Sequence, residues 1–214
     1  MSRVMPRSKP RRNYATANAQ SDEVVVLADE KRAAFWKAGA TAGQGCVFAL
    51  TGKASDAVRM ITSGITAMRS TGTTLRTPIY FSYLARAHAE LDQFHDAWRC
   101  VGEALTVVET TNERWCEADI LRMAGEIALL SPEHDAAKAQ AYFERALAVA
   151  RAQQAKSWEL RAVMSMARLW RVQGKRLQAH DLLGPVYGWF TEGFDTLDLK
   201  QAKTLLDELH RRAD

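Results

Sequence analysis

Cysteine, proline and long apolar runs are all scarce in this sequence, and each shortage closes off a class of protein. The three cysteines, Cys46, Cys100 and Cys116, form no Cys-x-x-Cys pair and cannot all be bridged within one chain. A disulfide framework is excluded, and reduced thiols in a cytoplasmic setting are expected. No apolar stretch approaches the roughly 18 residues of a membrane-spanning helix, so no membrane is expected as a partner. The N-terminus lacks the apolar core of a secretory signal. Alternation of the strand type, bounded by turn residues, is missing too: Val24-Val25-Val26 is too short and isolated to found a sheet.

A charge excess is missing where a nucleic-acid binder needs one. The net charge is +4, but residues 1–20 hold five basic side chains (Arg3, Arg7, Lys9, Arg11, Arg12) and no acid, leaving 24 basic against 25 acidic residues in the remainder. The folded part is therefore close to neutral, and nucleic acid is a disfavoured partner. Residues 1–20 are expected to form a basic, disordered tail, in which Pro6 and Pro10 interrupt any amphipathic presequence helix.

Motifs for catalysis are absent as well. Gly52-Lys53 invites comparison with a phosphate loop, but Val47 and Ala54 replace its first glycine and its Ser/Thr. His88, His95, His134, His180 and His210 form no ligand cluster, and no Gly-x-Ser-x-Gly elbow occurs. Glu113, Glu117, Asp119 and Glu126 suit helix starts and hydrated faces better than acid–base work. No catalytic residue, metal ligand or cofactor is assigned, and a non-catalytic protein is expected.

What the chain does contain, in 214 residues with 47% hydrophobic content, is an internal repeat. Ala57, Ala97, Ala139 and Ala179 each precede an apolar residue four positions on and a small or apolar one seven positions on, and they lie 40, 42 and 40 residues apart. A second series, Gly45, Ala85, Gly125 and Ala167, is spaced 40, 40 and 42. One insertion near Ser131-Pro132-Glu133-His134 reconciles the two. Offsets of four and seven share one helix face, where small side chains let two helices approach closely. Each unit thus reads as helix, tight turn, helix, with Gly52, Asp92, Pro132 and Gly174 in the turns and Gly72 and Asn112 between units. The predicted pairs span about 34–70, 77–109, 114–152 and 156–189, after a short helix near 22–32 and before a final one at 197–211.

This pattern resembles the tetratricopeptide class of helical hairpins in a long variant. A nearer resemblance rests on Thr111-Asn112-Glu113-Arg114-Trp115, Glu117-Ala118, Leu121-Arg122, Gly125-Glu126, Ala167-Arg168-Leu169-Trp170, Gln173-Gly174, and above all on the segment Tyr187-Gly188-Trp189-Phe190-Thr191-Glu192-Gly193-Phe194-Asp195-Thr196. These are similar to the C-terminal repeat region of bacterial multidomain regulators of the adenylate/guanylate cyclase or ATPase type, over residues 22–212. The resemblance implies a regulatory or interaction segment without the catalytic modules, starting inside a second-helix pattern with a replaced N-terminus.

The expected fold is all-α: a tetratricopeptide-like right-handed superhelix of about four hairpins over residues 21–195, closed by a capping helix at 196–214. Gly45, Ala57, Ala85, Ala97, Gly125, Ala139, Ala167 and Ala179 are the expected packing residues. In such solenoids the first helix of each hairpin lines the inner surface. Stepping from the small residues gives Gly39, Ala42, Cys46 and Ala49; Ile79, Ser82, Arg86 and Ala89; Asp119, Arg122, Glu126 and Leu129; and Arg161, Met164, Arg168 and Arg171. Arg86, Arg122, Arg161, Arg168 and Arg171 against Asp119 and Glu126 favour a protein or acidic-peptide partner, unless these arginines only pair with nearby acids; the alternative functions are a nucleic-acid module using the basic tail with this groove, or a regulator of a cyclase or ATPase on a separate chain. Val24, Val25, Val26 and Leu27 point to self-association at the N-terminal end or to cover of that end by the tail.

Overall fold

The structure is a computed structural model that describes residues 12–210. Among the described residues the chain forms ten α-helices, one 3-10 turn and no strand: α1 Arg12–Glu30, α2 Ala34–Thr51, α3 Ala54–Ser70, α4 Thr77–Glu90, α5 Phe94–Thr111, the turn Arg114–Cys116, α6 Glu117–Leu130, α7 Ala136–Ala152, α8 Lys156–Val172, α9 Arg176–Gly188 and α10 Leu197–His210.

Every helix-to-helix turn from α1 to α9 passes through the left-handed region, in a regular series of Arg32, Gly52, Gly72, Asp92, Asn112, His134, Gln154 and Gly174 whose spacing is twenty residues except for two extra between Asn112 and His134; the turn between α3 and α4 holds a second such residue, Arg76. One backbone kink per helix is thus the punctuation of the fold, and it falls on glycine at only three of the eight. At Gln154 the turn closes through Ala155 N–H donating to the Ala150 carbonyl at 2.9 Å.

The chain divides into two compact units, residues 1–74 and 75–214. In the first, α2 packs on both α1 and α3. Its closeness to α3 depends on glycine: a Cβ on Gly64 would lie 2.7 Å from Ala42 Cβ, and one on Gly45 would lie 2.6 Å from Ile61 Cγ1. Ala57 is fully buried in the same layer. Helix α1 begins at Arg12, so residues 12–20, expected in the disordered tail, are helical instead. The reason is local: Tyr14, Ala17, Asn18, Ser21, Val25 and Ala28 fall at helical spacing on the less exposed side of α1. Residues 1–11 lie outside the described residues.

In the second unit, hairpins α4–α5, α6–α7 and α8–α9 stack in order, α4 against α6, α6 against α8, and α10 against both α8 and α9. Ala85, Ala97, Ala139, Ala167 and Ala179 are fully buried, and a Cβ on Gly125 would stand 2.4 Å from Phe143 Cε1. The connections between hairpins are tied to one another. Glu113 accepts from the Arg76 backbone N–H at 2.9 Å and from the Trp115 indole at 2.8 Å, and the Gln153 amide donates to the Arg114 carbonyl at 2.9 Å.

Candidate partner-binding face

The first helices of the three hairpins in the second unit, α4, α6 and α8, lie side by side and are continued by α10. Arginine enters this face because each helix carries it at positions facing its neighbour rather than the buried alanine seam. The structure places the eight expected site residues at very different depths. Asp119 and Met164 are 1% and 2% exposed and offer no accessible surface, whereas Arg86, Glu126, Arg161, Arg168 and Arg171 are partly open. Arg122 lies between these, its side chain 12% exposed. Among the other lining positions, Ala42, Ala49, Ile79, Ser82 and Ala89 are buried. The positions six and three before each small residue mostly turn inward, and those one and four after it mostly stay open.

At the centre is a chain of charge. Arg122 donates through Nε to Asp119 Oδ1 at 2.6 Å and through Nη1 to Glu126 Oε1 at 2.5 Å. Glu126 also accepts from the Ser165 hydroxyl of α8 at 3.0 Å and faces Arg86 of α4 at 3.9 Å. One carboxylate therefore links three successive hairpins. Burial acts to raise the Glu126 pKa, but Arg122, Arg86, Arg168 and the Ser165 hydrogen bond outweigh it, and the group is held below the ordinary carboxylate value. Burial likewise acts to lower the Arg122 pKa, and Asp119 and Glu126 carry it upward instead. The second oxygen of Asp119, Oδ2, is buried with no hydrogen-bond partner, its charge compensated by Arg122.

The expected excess of five arginines over two acids does not survive in this geometry. Arg86 pairs with Glu90 one turn further along α4 at 3.5 Å, Arg161 with Asp198 of α10 at 2.6 Å, and Arg171 with Glu208 of α10. Five carboxylates, Glu90, Asp119, Glu126, Asp198 and Glu208, thus pair with four of the five guanidinium groups. Sequence reasoning missed Asp198, Gln201 and Glu208 because α10 was read as a polar cap. Their spacing of three and seven was the available signal, since it marks one helix face beside the Leu199, Ala202, Leu205, Leu209 stripe. In effect α10 is a fifth first-helix.

Arg168 is the exception. Its hydrogen bond is to the neutral Gln201 side chain at 3.4 Å, and no carboxylate forms an ion pair with it among the described residues. Burial, together with Arg122 and Arg171, lowers its pKa, while Glu126 and Asp198 act in the opposite direction without cancelling this. The site therefore holds one partly buried cation in surroundings that disfavour its charge.

Elsewhere the chemistry is quiet. Burial pushes the Cys100 thiol up to about 11 and the Cys116 thiol up to about 12. Among the described residues no group of His, Cys, Asp and Glu is placed to hold a metal ion, and no helix is long and apolar enough to cross a membrane.

No protein-family model matches the sequence, and no curated protein matches it. Solved structures do. Crystallised tetratricopeptide-like repeats of nearly identical sequence, from a kinesin light chain-like protein of Podosopora anserina, superpose with a TM-score of 0.50 at 14% identity, covering 93% of this chain and 90% of that one. A single-substitution variant of those repeats gives a TM-score of 0.52 at 16% identity, covering 82% of this chain and 85% of that one. At such identity the likeness speaks for the fold alone, and the fold is an all-helical, tetratricopeptide-like repeat.

Proposed function

We propose that this chain is a non-catalytic scaffold that binds an acidic segment of a protein partner along α4, α6, α8 and α10, with a carboxylate of that segment meeting Arg168. Tetratricopeptide-like repeats generally serve protein interaction, which supports the general role. The observation that carries the specific one is Arg168 itself, the one arginine of this face whose hydrogen bond goes to a neutral group. An incoming carboxylate would give it the planar two-bond pairing that a guanidinium favours. The surrounding pairs hold the remaining arginines fixed, so little side-chain freedom is lost on binding.

The sequence resemblance to cyclase- and ATPase-type regulators supports a signalling protein as that partner, and the reduced thiols support a cytoplasmic setting. A nucleic-acid guest is not favoured, because a polyanionic backbone needs many uncompensated cations and this face offers one, Arg168. Peptide display against the intact chain tests the proposal. Enriched peptides are expected to carry Asp or Glu and to bind Arg168→Gln about tenfold more weakly. Peptides without acids, or unchanged binding to the variant, would contradict it.

A second reading, self-association through α1, is supported by the exposure of Val24, Val26 and Leu27 on one stretch of that helix.

A further inference from the structure

The segment around Trp189, the most distinctive stretch of the sequence, takes no part in the arginine network, and neither does the turn between α7 and α8. Together they enclose an open recess of about 520 Å³, lined by Arg151, Gln154, Lys156, Glu159 and Trp189, within the size range of small-molecule sites.

Its floor is the buried Glu159 carboxylate, which accepts from Arg151 Nε at 3.0 Å and from Lys156 Nζ at 2.7 Å. Two cations on one anion leave a net charge of +1. Burial alone would raise the Glu159 pKa, but the hydrogen bonds from Lys156 and Arg151 lower it, so the carboxylate stays ionised and both cations stay anchored. Arg151 spends only its Nε hydrogen on this pairing, leaving the outer fork of its guanidinium to a guest. The wall is the Trp189 indole, 58% exposed. Phe190, itself packed against the α8–α10 core, meets it edge-on at 5.2 Å and 87°, and the Lys156 ammonium stands 5.7 Å from its centroid. In the turn below, Gln154 lies in the left-handed region at φ 53°.

A flat ring face beside a single excess positive charge selects a flat guest with a single negative one. We propose that this recess binds a small aromatic carboxylate, its ring stacked on Trp189 and its carboxylate between the outer Arg151 fork and Lys156.

The test uses the full chain, with indole-3-acetate as probe and the Trp189 indole N–H resonance, assigned by its loss in Trp189→Phe, as readout. Saturation at about millimolar concentration or below is expected, the range for a ligand of about a dozen heavy atoms. Tryptamine, with the same ring and the opposite charge, and acetate, with the charge and no ring, should leave the resonance in place. Arg151→Gln, at an exposed position, should weaken indole-3-acetate about tenfold, and Trp189→Ala should abolish its saturation-transfer signal. Equal binding of tryptamine, unchanged affinity in Arg151→Gln, or no saturation by about 10 mM would overturn the assignment.

Discussion

Glycines in this chain do opposite jobs according to what a methyl group would meet, and the difference can be measured one residue at a time. Gly102 in α5 has nothing within 4 Å of a would-be Cβ, so Gly102→Ala should raise stability by about 0.5–1 kcal/mol in urea unfolding. Gly125→Ala would push a methyl to 2.4 Å from the fully packed Phe143 ring and should cost about 1–3 kcal/mol in the same measurement. Gly45 and Gly125 were legible in the sequence because their spacing repeats, and the contacts with Ile61 and Phe143 supply the physical reason. Glu126 carries a pH signature. Its folded pKa is depressed, so its contribution is present above the ordinary carboxylate value and is lost as pH falls through the folded one. Glu126→Gln should therefore lower stability at neutral pH and flatten the acid limb of the stability profile, read as melting temperature against pH.

At the level of elements, the left-handed turn residues and α10 decide how far the repeat extends. Arg32, His134 and Gln154 adopt positive φ without being glycine, at a cost of about 1 kcal/mol each. His134→Gly and Gln154→Gly should each stabilise the chain by up to that amount, with the helical signal unchanged. Gly52, Gly72 and Gly174 announced their turns, whereas Gln154 and Arg32 gave no compositional sign, because a backbone fixed by flanking hydrogen bonds can hold a residue with no preference for that region. Apart from α1, which begins well before the helix expected near residues 22–32, the helical pairs were legible nearly to the residue, since apolar spacing dictates them. The role of α10 was not, because its acids look solvated until Arg161 and Arg171 are seen to face them across 37 residues of chain. Leu205→Ala should cost about 2–5 kcal/mol and Asp198→Asn under about 1 kcal/mol, so apolar burial rather than ion pairing holds this helix.

For the whole molecule, charge is distributed in a way that net charge conceals: the basic excess belongs to residues 1–20, and the candidate face is balanced carboxylate for guanidinium. Partner binding at that face should accordingly weaken only modestly with salt, in contrast to the steep loss that phosphate neutralisation produces. Self-association through α1 makes a separate prediction: sedimentation should report concentration-dependent mass for the intact chain and a monomer for Leu27→Glu. The central claim concerns the face of α4, α6, α8 and α10, and position-specific photo-crosslinking tests it most directly. With the reactive group at Arg86, on the candidate face, or at Arg99, on the exposed side of α5, the account predicts a discrete protein adduct from position 86, suppressed by Arg168→Gln, and none from position 99. Adducts of equal yield from both positions would contradict it.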